Sequence, residues 1–543
     1  MSKTIRRRSG RGAASALAGV LCAAALLGLA ASAEAQSVVP GRPVSTVTIG
    51  TNLVQQIPQS FLGLSINEEE MEDFTNQPAF LNIINDILDP PSSGAGPFVL
   101  RVGGTYSDSS YWQGDQSQVL PEYQDDSGLE YTLNQGWMNS LAGVMQATGG
   151  KAIINVNAVA HDPQMAADVV RAAEQTLPAG SLMAVAIGNE PNLYTLANNT
   201  VANNTAWVRA FTPDQYSSVF GSYAQTLRKD FPTLTLAGPE SSGATTNWTS
   251  QLLQADAGQV GLVTSHVYPL NACDTPGNGF YPTIGHYLTN TLVSETTSSL
   301  AQLLTLAHSI GLPYRLTELG SATCNGVSGV NDTFATSLWV INQLFSFITA
   351  GLDGVNVHLR TNEPNTAIMN TGAGLQAEPL LYGMAAFVDA LQPNDVLTGT
   401  SGQLQPNVDI WPVYGSDGWH VALVNYTASS QLVELSLPAT GTGTITQLTA
   451  PSPTSSAVTF GGQTITSNGT WSGPLNVVDS EPVNGTYPVV LPPASAAIFD
   501  VAAAPGTTIT AQAKTKAKTT KNAKAKRPNA AAKLPTKRAR ARS

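Results

Sequence analysis

The stretch Met183-Ala184-Val185-Ala186-Ile187-Gly188-Asn189-Glu190 is a short apolar run that ends in polar residues. A continuous apolar run of this length is consistent with a strand that is buried on both faces, as in a parallel sheet covered by helices. In parallel barrels the functional side chains gather at the carboxyl ends of the strands. Glu190 is therefore predicted to stand at a functional edge of the fold.

Similar runs recur from about residue 61 to residue 368, and amphipathic segments separate them. This alternation is typical of repeated β-α units. One helix start is indicated by Thr212-Pro213-Asp214-Gln215, which supplies an N-cap, a proline in the first turn and a capping-box glutamine. Eight units predict an α/β fold, a (β/α)8 TIM barrel over residues 59–375. Its strands are expected at residues 61–66, 98–104, 152–157, 183–190, 233–238, 262–268, 314–318 and 354–358.

The pattern changes after about residue 376. An apolar helix is predicted around residues 379–391, and short alternating strands such as 411–414 and 420–426 follow it. The turn signal Ser416-Asp417-Gly418 links these two strands. We predict a C-terminal β-sandwich over residues 376–502, to which the N-terminal segment 36–58 adds a strand.

The two ends of the chain differ in composition from the rest. Residues 1–35 combine basic residues, an apolar stretch from 13 to 31 and small residues at the end, which is typical of an export signal; a membrane helix is the alternative interpretation. The mature chain is thus predicted to be secreted or periplasmic, without a transmembrane segment. The tail 503–543 is rich in Ala, Lys, Thr and Arg and is predicted to be disordered. It could contact acidic polymers, or it could be a solvated tail without a partner.

Charge is distributed unevenly along the chain. Of the 26 basic residues, five lie in the predicted signal and twelve in the tail, so only nine remain in residues 36–502, together with 36 of the 37 acidic residues. The part predicted to fold is therefore strongly acidic. Such a surface is expected to repel polyanions.

Sequence motifs for several other kinds of chemistry are absent. The six histidines show no His-x-x-x-His or other close metal-ligand spacing, and neither a Gly-x-Ser-x-Gly elbow, a P-loop nor a dinucleotide-binding fingerprint occurs. We therefore predict neither a metal nor a cofactor.

Cysteine usage agrees with export. Cys22 falls within the predicted signal, which leaves Cys273 and Cys324 in the mature chain. These two residues follow the sixth and seventh predicted strands, so they could meet at the barrel mouth. We predict a disulfide there, two free buried thiols being the alternative.

Two carboxylates close predicted strands at the functional end of the barrel. Glu190 ends the fourth strand and Glu318 ends the seventh. Glycoside hydrolysis needs such a pair, because one carboxyl group protonates the leaving oxygen while another, ionised, attacks the anomeric carbon. The pair therefore predicts glycosidase chemistry.

The position of Asn189-Glu190-Pro191 on strand four and of Glu318 on strand seven resembles the clan of retaining glycosidases built on this barrel. Within that clan, the sequence resembles glycoside hydrolase family 79, the β-glucuronidases and heparanases. Matching segments are spread over most of residues 59–390. They include Leu100-Arg101-Val102-Gly103-Gly104-Thr105, Ser265-His266-Val267-Tyr268-Pro269 and Thr317-Glu318-Leu319-Gly320-Ser321-Ala322-Thr323-Cys324-Asn325-Gly326.

The resemblance implies roles for individual residues. Glu190 would be the acid/base and Glu318 the nucleophile of a double displacement, and Asn189 would contact the sugar 2-hydroxyl. His266 and Tyr268 would lie beside the nucleophile, with packing in the barrel core as the alternative.

The resemblance also implies a binding site for the sugar. Asp108 and Glu68 would bind hydroxyl groups, although Glu68 could instead belong to a solvated charge run. Cys324, Asn325 and Gly326 belong to a loop that would face a uronate carboxylate through backbone amides. After strand eight the chain carries Glu363-Pro364-Asn365-Thr366-Ala367-Ile368 in place of the family's tyrosine. Arg360 could supply a compensating positive charge there, or pair with an acidic residue.

The predicted function is that of a secreted, exo-acting, retaining β-glucuronidase that acts on a β-glucuronide or another uronate-bearing glycan. A heparanase-like endo-enzyme would be expected to line its cleft with basic residues, of which the folded part has few. That endo-enzyme, a neutral-sugar glycosidase of the same clan and a non-catalytic polysaccharide-binding protein are the alternatives.

Overall fold

The computed structural model describes residues 43–113, 131–195 and 211–511. The predicted export signal, with Cys22, and the part of the predicted tail 503–543 that begins at residue 512 lie outside the described residues. Over the described ranges, no helix combines the length and the apolar character that crossing a membrane requires.

The described chain begins with strand β1 (Val44–Gln56), which lies outside the barrel. Eight parallel strands follow and close on themselves, which confirms the predicted TIM barrel. They are β2 (Leu62–Asn67), β3 (Val99–Gly103), β4 (Lys151–Val156), β5 (Leu182–Ile187), β6 (Leu236–Ser242), β7 (Val260–Val267), β8 (Tyr314–Leu319) and β9 (Gly354–His358). Their order around the barrel is β8-β9-β2-β3-β4-β5-β6-β7.

The barrel strands are apolar because they are covered on both sides. Every residue of β2, β3, β8 and β9 is buried. Strand β6 differs from its prediction at residues 233–238, since it runs from Leu236 to Ser242 and includes Pro239 and Glu240. Pro239 pairs with Thr264 of β7, and the register shifts just after it. A proline within an irregular, bulged stretch can remain in a strand, so Pro239 does not end this one.

Helices alternate with the strands and cover the barrel. Their first turns are stabilised by side-chain caps; Asp162 and Thr212, for example, accept hydrogen bonds from backbone N–H groups two or three residues on. The helices are α1 (Met71–Thr75), α2 (Pro78–Ile83), α3 (Gln135–Thr148), α4 (Pro163–Thr176), α5 (Pro213–Asp230), α6 (Thr246–Asp256), α7 (Ile284–Tyr287), α8 (Asn290–Ser299), α9 (Ala301–Ser309), α10 (Phe334–Ala350) and α11 (Pro379–Asp389).

Helix α11 packs directly on α10 and so takes the place of the eighth barrel helix. Gly383 permits this close approach, because a Cβ atom there would lie 2.2 Å from the carbonyl oxygen of Ser337. The rings of Phe345 and Phe387 also meet, with centroids 4.8 Å apart. On its other side α11 contacts the C-terminal region, where the hydroxyl of Tyr382 accepts a hydrogen bond from the N–H of Ile465.

The C-terminal region forms one ten-stranded sheet together with β1. Its strands are β10 (Val396–Gln403), β11 (Val408–Tyr414), β12 (Trp419–Asn425), β13 (Gln431–Ser436), β14 (Gly443–Thr449), β15 (Thr459–Phe460), β16 (Val478–Ser480), β17 (Tyr487–Leu491) and β18 (Ser495–Val501). Their order is β15-β14-β18-β12-β11-β10-β1-β13-β17, and β16 pairs with β14.

This sheet has its own apolar core, in which residues of distant strands meet. Val47 of β1, Val421 of β12, Val433 of β13 and Phe499 of β18 belong to one buried cluster. The N-terminal strand is therefore an integral part of this C-terminal β domain. The chain also stays on the sheet beyond residue 502, because Thr510 exchanges backbone hydrogen bonds with β1.

Candidate active site

Two glutamates face each other at the carboxyl end of the barrel. Glu190 stands just after β5 and Glu318 lies in β8, and one carboxylate oxygen of each lies within 4.8 Å of the other. The side chain of Glu190 is 19% exposed and that of Glu318 only 7%, so Glu190 is the more open to solvent. Glu190 adopts the left-handed conformation with φ 49°, which turns the chain sharply after the strand.

Three neighbours hold the Glu318 carboxylate. Arg101 Nη1 lies 2.6 Å from Oε1, and the Tyr268 hydroxyl donates to Oε2 over 2.8 Å. The Nδ1 atom of His266 lies 3.6 Å from Oε2. Burial disfavours the charged form, but the positive charges of His266 and Arg101 outweigh it and hold the pKa of Glu318 well below its ordinary value. Glu318 is therefore ionised and fixed in orientation.

His266 lies between two carboxylates and is fully buried. Its Nδ1 is 3.0 Å from Oε1 of Glu190, and its Nε2 is 3.0 Å from Oε2 of Glu240. Each ring nitrogen therefore has a carboxyl oxygen as its acceptor, which favours a ring that carries a proton on both nitrogens. Burial opposes the charge, yet the charge of Glu318 and the hydrogen bonds to Glu190 and Glu240 raise the pKa of His266 to about 10.

Arg101 links the two halves of the site from strand β3. Its Nη2 atom donates to Oδ1 of Asn189 over 2.7 Å and to Oε2 of Glu240 over 2.8 Å, while Nη1 donates to Glu318. Its Nε atom donates to Asn155 over 3.1 Å. One buried guanidinium thus fixes the asparagine before Glu190 relative to Glu318.

A cavity of about 240 Å³ opens above these groups. Glu190, Glu318 and Tyr268 face it, whereas His266, Asp108 and Glu68 are not part of its lining. The lining residues are Asn67, Gly104, Thr105, Asn189, Glu190, Leu193, Ser242, Tyr268, Glu318, Thr323, Cys324, Asn325, His358, Arg360 and Asn365.

Asp108 lies beneath the cavity, and its carboxylate is hydrogen-bonded by other groups of the protein. Its carboxylate accepts hydrogen bonds from the Tyr194 hydroxyl (2.6 Å) and from the backbone N–H groups of Asn189 (2.9 Å) and Ala158 (3.0 Å). Burial raises the pKa of Asp108 to about 6 against these hydrogen bonds. Asp108 therefore supports the turn that carries Asn189 and Glu190.

Glu68 is fully buried at the end of β2. Neither carboxylate oxygen of Glu68 has a hydrogen-bond partner in the part of the chain that the structure describes. Burial raises the pKa of Glu68 well above its ordinary value. Both carboxyl oxygens of Glu68 therefore have unused hydrogen-bonding capacity.

The predicted disulfide is confirmed. Cys273 and Cys324 are bonded across a sequence separation of 51 residues, which ties the loop after β7 to the loop after β8. Cys324 and Asn325 are left-handed, with φ 54° and 66°, and Gly326 follows with φ 74°. Among the described residues, no acceptor binds the N–H groups of Cys324 and Asn325. Both residues are exposed and line the cavity.

Arg360 reaches the cavity from the loop after β9. Its Nε atom donates to Oε2 of Glu363 over 2.9 Å. The side chain of Arg360 is 32% exposed, and its Nη atoms have no hydrogen-bond partner in the described ranges. One edge of this guanidinium is therefore available to a ligand.

The sequence reasoning missed three residues that contact the two glutamates or their partners: Arg101, Glu240 and His358. Arg101 interrupts an apolar strand, and a charged residue in such a place is a signal that could have identified it. Glu240 was not identified as a site residue because β6 was predicted to end at residue 238. Burial lowers the pKa of His358 to about 3, so this residue is a neutral neighbour, 3.8 Å from Oε1 of Glu318.

Within the described residues, one group of three side chains has the spacing of a metal site: Glu190, His266 and Glu318. A metal ligand must offer a lone pair, and neutral imidazole provides one. Both nitrogens of His266 instead donate to carboxylates. The arrangement therefore suits proton transfer rather than cation binding.

Family models match this chain in two segments. The N-terminal domain of glycosyl hydrolase family 79 matches residues 78–345, and the family's C-terminal beta domain matches residues 407–498. The chain belongs to glycosyl hydrolase family 79. As a member of family 79, it is a glycoside hydrolase that acts on O-glycosyl bonds.

Solved structures of other glycosidases share the fold of this family 79 enzyme. A 4-O-α-L-rhamnosyl-β-D-glucuronidase from Fusarium oxysporum 12S matches with a TM-score of 0.67 and 18% identity, over 84% of this chain and 99% of that one. A family 51 α-L-arabinofuranosidase from Bifidobacterium longum matches with a TM-score of 0.60 and 14% identity, over 84% and 99%. A bifunctional glucanase-xylanase from a metagenome library matches with a TM-score of 0.57 and 13% identity, over 85% and 100%. No curated protein matches the chain.

Proposed function

We propose that this family 79 enzyme is an exo-acting β-glucuronidase that hydrolyses its substrate with retention of configuration. The separation of Glu190 and Glu318 carries the assignment of retention, since one carboxyl oxygen of each lies within 4.8 Å of the other. Retaining glycosidases have carboxyl groups about 5–5.5 Å apart, and inverting ones about 6.5–9.5 Å apart to admit a water molecule. The short separation fits the retaining class.

Glu318 is the nucleophile in this mechanism. It is ionised, and Tyr268 and Arg101 hold one oxygen each. Glu318 attacks the anomeric carbon while Glu190 gives a proton to the departing glycosidic oxygen. Glu190 then takes a proton from a water molecule that attacks the glycosyl-enzyme bond and releases the sugar.

Asn189 supports sugar binding beside the reacting carbon. Arg101 holds the Asn189 side-chain oxygen, which directs the amide orientation. In the described residues nothing accepts from the Nδ2 group of Asn189, and Asn189 lines the cavity. This amide is therefore free to donate to the 2-hydroxyl of the sugar.

The carboxylate of a glucuronide would meet two kinds of donor. Cys324 and Asn325 offer backbone N–H groups from two consecutive left-handed residues that line the cavity. Arg360 adds the free edge of its guanidinium from the neighbouring loop, which follows β9. Charge-assisted hydrogen bonds of this kind are about twice as strong as neutral ones.

The size of the cavity supports exo action. At about 240 Å³ it is smaller than the roughly 300–1,000 Å³ of pockets that hold drug-sized ligands. One terminal sugar ring is the ligand that such a volume favours over a polymer segment. The disulfide supports export, because disulfides persist in oxidising compartments.

Hydrolysis of 4-nitrophenyl β-glycosides of glucuronic acid, glucose, galactose and xylose tests this proposal. We expect turnover of the glucuronide, lost by about a thousandfold or more in Glu318→Ala and in Glu190→Ala. Glu295→Ala, which removes an exposed glutamate from α8, is the matched control and should retain activity. Turnover of a neutral glycoside alone would exclude the glucuronidase assignment while leaving the glycosidase mechanism in place.

A further inference from the structure

Glu240 and Glu190 are joined in a closed ring of contacts at the barrel mouth. The backbone N–H of Glu190 donates to the carbonyl oxygen of Glu240 over 2.9 Å. The side chain of Glu240 meets His266 Nε2 at 3.0 Å, and His266 Nδ1 meets the Glu190 carboxylate at 3.0 Å. Glu240 therefore holds both the main chain and, through His266, the side chain of Glu190.

Glu240 is fully buried and cannot touch a substrate. Its Oε1 accepts from the Thr317 hydroxyl over 2.8 Å, and its Oε2 accepts from Arg101 over 2.8 Å. Burial disfavours the ionised form, but Arg101 and His266 lower the pKa of Glu240 to about 2. The Glu240 carboxylate is thus a buried negative charge, and the hydrogen bonds that stabilise it come from side chains of the protein.

The backbone supports the same interpretation. Glu190 and Glu240 are both left-handed, with φ 49° and 56°, a region that non-glycine residues seldom occupy. Such conformations persist where surrounding contacts hold them, and they concentrate at functional sites. The hydrogen bond between these two residues joins one strained position directly to the other.

We propose that Glu240 is a positioning residue of the reaction: its carboxylate keeps His266 donating from both nitrogens, and its main chain anchors Glu190, so that the Glu190 carboxyl group stays beside Glu318 and the leaving oxygen. This inference rests on the proposed double displacement. It adds a third glutamate to the two that react.

Charged and titratable groups face the Glu240–His266 pair from most of the barrel strands. Arg101 supplies a positive charge, and Glu240 and Glu318 supply negative ones. Loss of the Glu240 charge therefore removes one of the two negative charges that hold the proton of His266, while the positive charge of Arg101 stays nearby. The groups that surround the pair are Arg101 on β3, Asn155 on β4, Glu190 after β5, Tyr268 just after β7, Thr317 and Glu318 on β8, and His358 on β9.

Glu240→Gln tests the proposal because it keeps the shape and removes the charge. We expect kcat to fall about tenfold to a hundredfold, the range seen when a supporting outer group is lost. KM should change little, since Glu240 does not contact substrate. The pH profile of kcat should change shape, because His266 then releases its proton more readily and no longer donates to Glu190 over the whole working range. Glu240→Asp, which retains the charge, should restore the wild-type profile at least in part.

Asp409→Asn is the matched control for removing a partly buried carboxylate. Asp409 accepts from Asn290 (2.9 Å) and Asn342 (2.8 Å) between the barrel helices and the sheet, away from the cavity. Its pH profile should match that of the wild type. A thermal unfolding curve of each variant identifies any loss of activity that comes from unfolding.

Nitrogen NMR of histidine-labelled protein tests the same inference without a substrate. In the wild type at pH 8, we expect both ring nitrogens of His266 to be protonated, with His266→Gln used to assign the signal. In Glu240→Gln one nitrogen should lose its proton at that pH. Unchanged protonation in Glu240→Gln, or protonation lost with kcat unaltered, would overturn the proposal. If the wild type hydrolyses no β-glycoside, the proposed function fails, whereas the NMR result still decides the state of His266.

Discussion

The hydroxyl of Tyr268 donates a hydrogen bond to Oε2 of Glu318 over 2.8 Å, while Arg101 occupies the other oxygen of the same carboxylate. Gly320 permits this arrangement, because a Cβ atom there would lie 2.1 Å from the Tyr268 ring. Two donors on opposite oxygens restrict rotation of the carboxylate. The attacking oxygen of Glu318 is therefore directed before the substrate arrives.

Tyr268→Phe should lower kcat/KM about tenfold to a hundredfold, because it removes one hydrogen bond to a charged group worth about 1.5–3 kcal/mol. Steady-state kinetics with the best substrate measures this. Tyr314→Phe is the control, since it removes a buried hydroxyl that contacts Ser265 at the other end of β8. Equal losses in both variants would show that Tyr268 acts only through packing.

Much of the fold could be predicted because each barrel strand can be recognised from its own short stretch of sequence. Covered strands have continuous apolar runs, and Glu190 and Glu318 stand out as the polar residues that follow two of them. The ring through Glu240 could not be predicted in the same way. Its members are distant in sequence, and they meet only once the barrel closes. Pro239 also kept Glu240 out of the predicted strand, because proline usually marks the end of a strand.

Asp108 illustrates another limit of sequence reasoning. Its side chain accepts three hydrogen bonds from Tyr194, Asn189 and Ala158. No sequence pattern distinguishes a carboxylate that binds sugar from one that binds a backbone turn, because both follow a strand and both are polar. Only the positions of the donors separate the two roles.

Arg360→Ala should lower kcat/KM for a glucuronide about tenfold to a hundredfold and leave a neutral glycoside almost unaffected, because the guanidinium contributes only to carboxylate binding. Comparison of the two substrates measures this selectivity. Arg171→Ala is the control, as it removes an arginine paired with Asp168 and Asp230 on the surface. A parallel loss on both substrates would refute the carboxylate-binding role.

His266 predicts a dependence of stability on alkaline pH. Its folded-state pKa of about 10 lies above the ordinary value of 6.5, so its protonated form stabilises the fold fully below about pH 6.5. This contribution is lost as pH rises from there to about 10. The Tm difference between wild type and His266→Gln should therefore narrow as pH rises from 7 to 10. His308→Gln is the control, because His308 forms a half-exposed pair with Asp353. The Tm difference between wild type and His308→Gln should stay nearly constant over the same pH range. A Tm difference between wild type and His266→Gln that widens toward pH 10 would contradict the positive charge assigned to His266.

The disulfide predicts a linked effect on stability and binding. Replacing Cys273 and Cys324 by Ala should lower the free energy of unfolding by about 2–4 kcal/mol, as for loops of this length. KM should also rise, because Cys324 forms part of the cavity wall. Denaturant unfolding with and without reductant measures the first effect, and only the wild type should respond to reductant. An unaltered KM in the double variant would show that the loop is held without the bond.

The central claim is that Glu318 attacks the anomeric carbon and Glu190 assists both steps, so that a glucuronide is hydrolysed with retention. Proton NMR of 4-nitrophenyl β-glucuronide during hydrolysis tests this claim most directly, because it identifies the first sugar anomer before mutarotation. The account predicts that the β-anomer forms first. Initial formation of the α-anomer would mean inversion and would contradict the assignment of Glu318 as nucleophile.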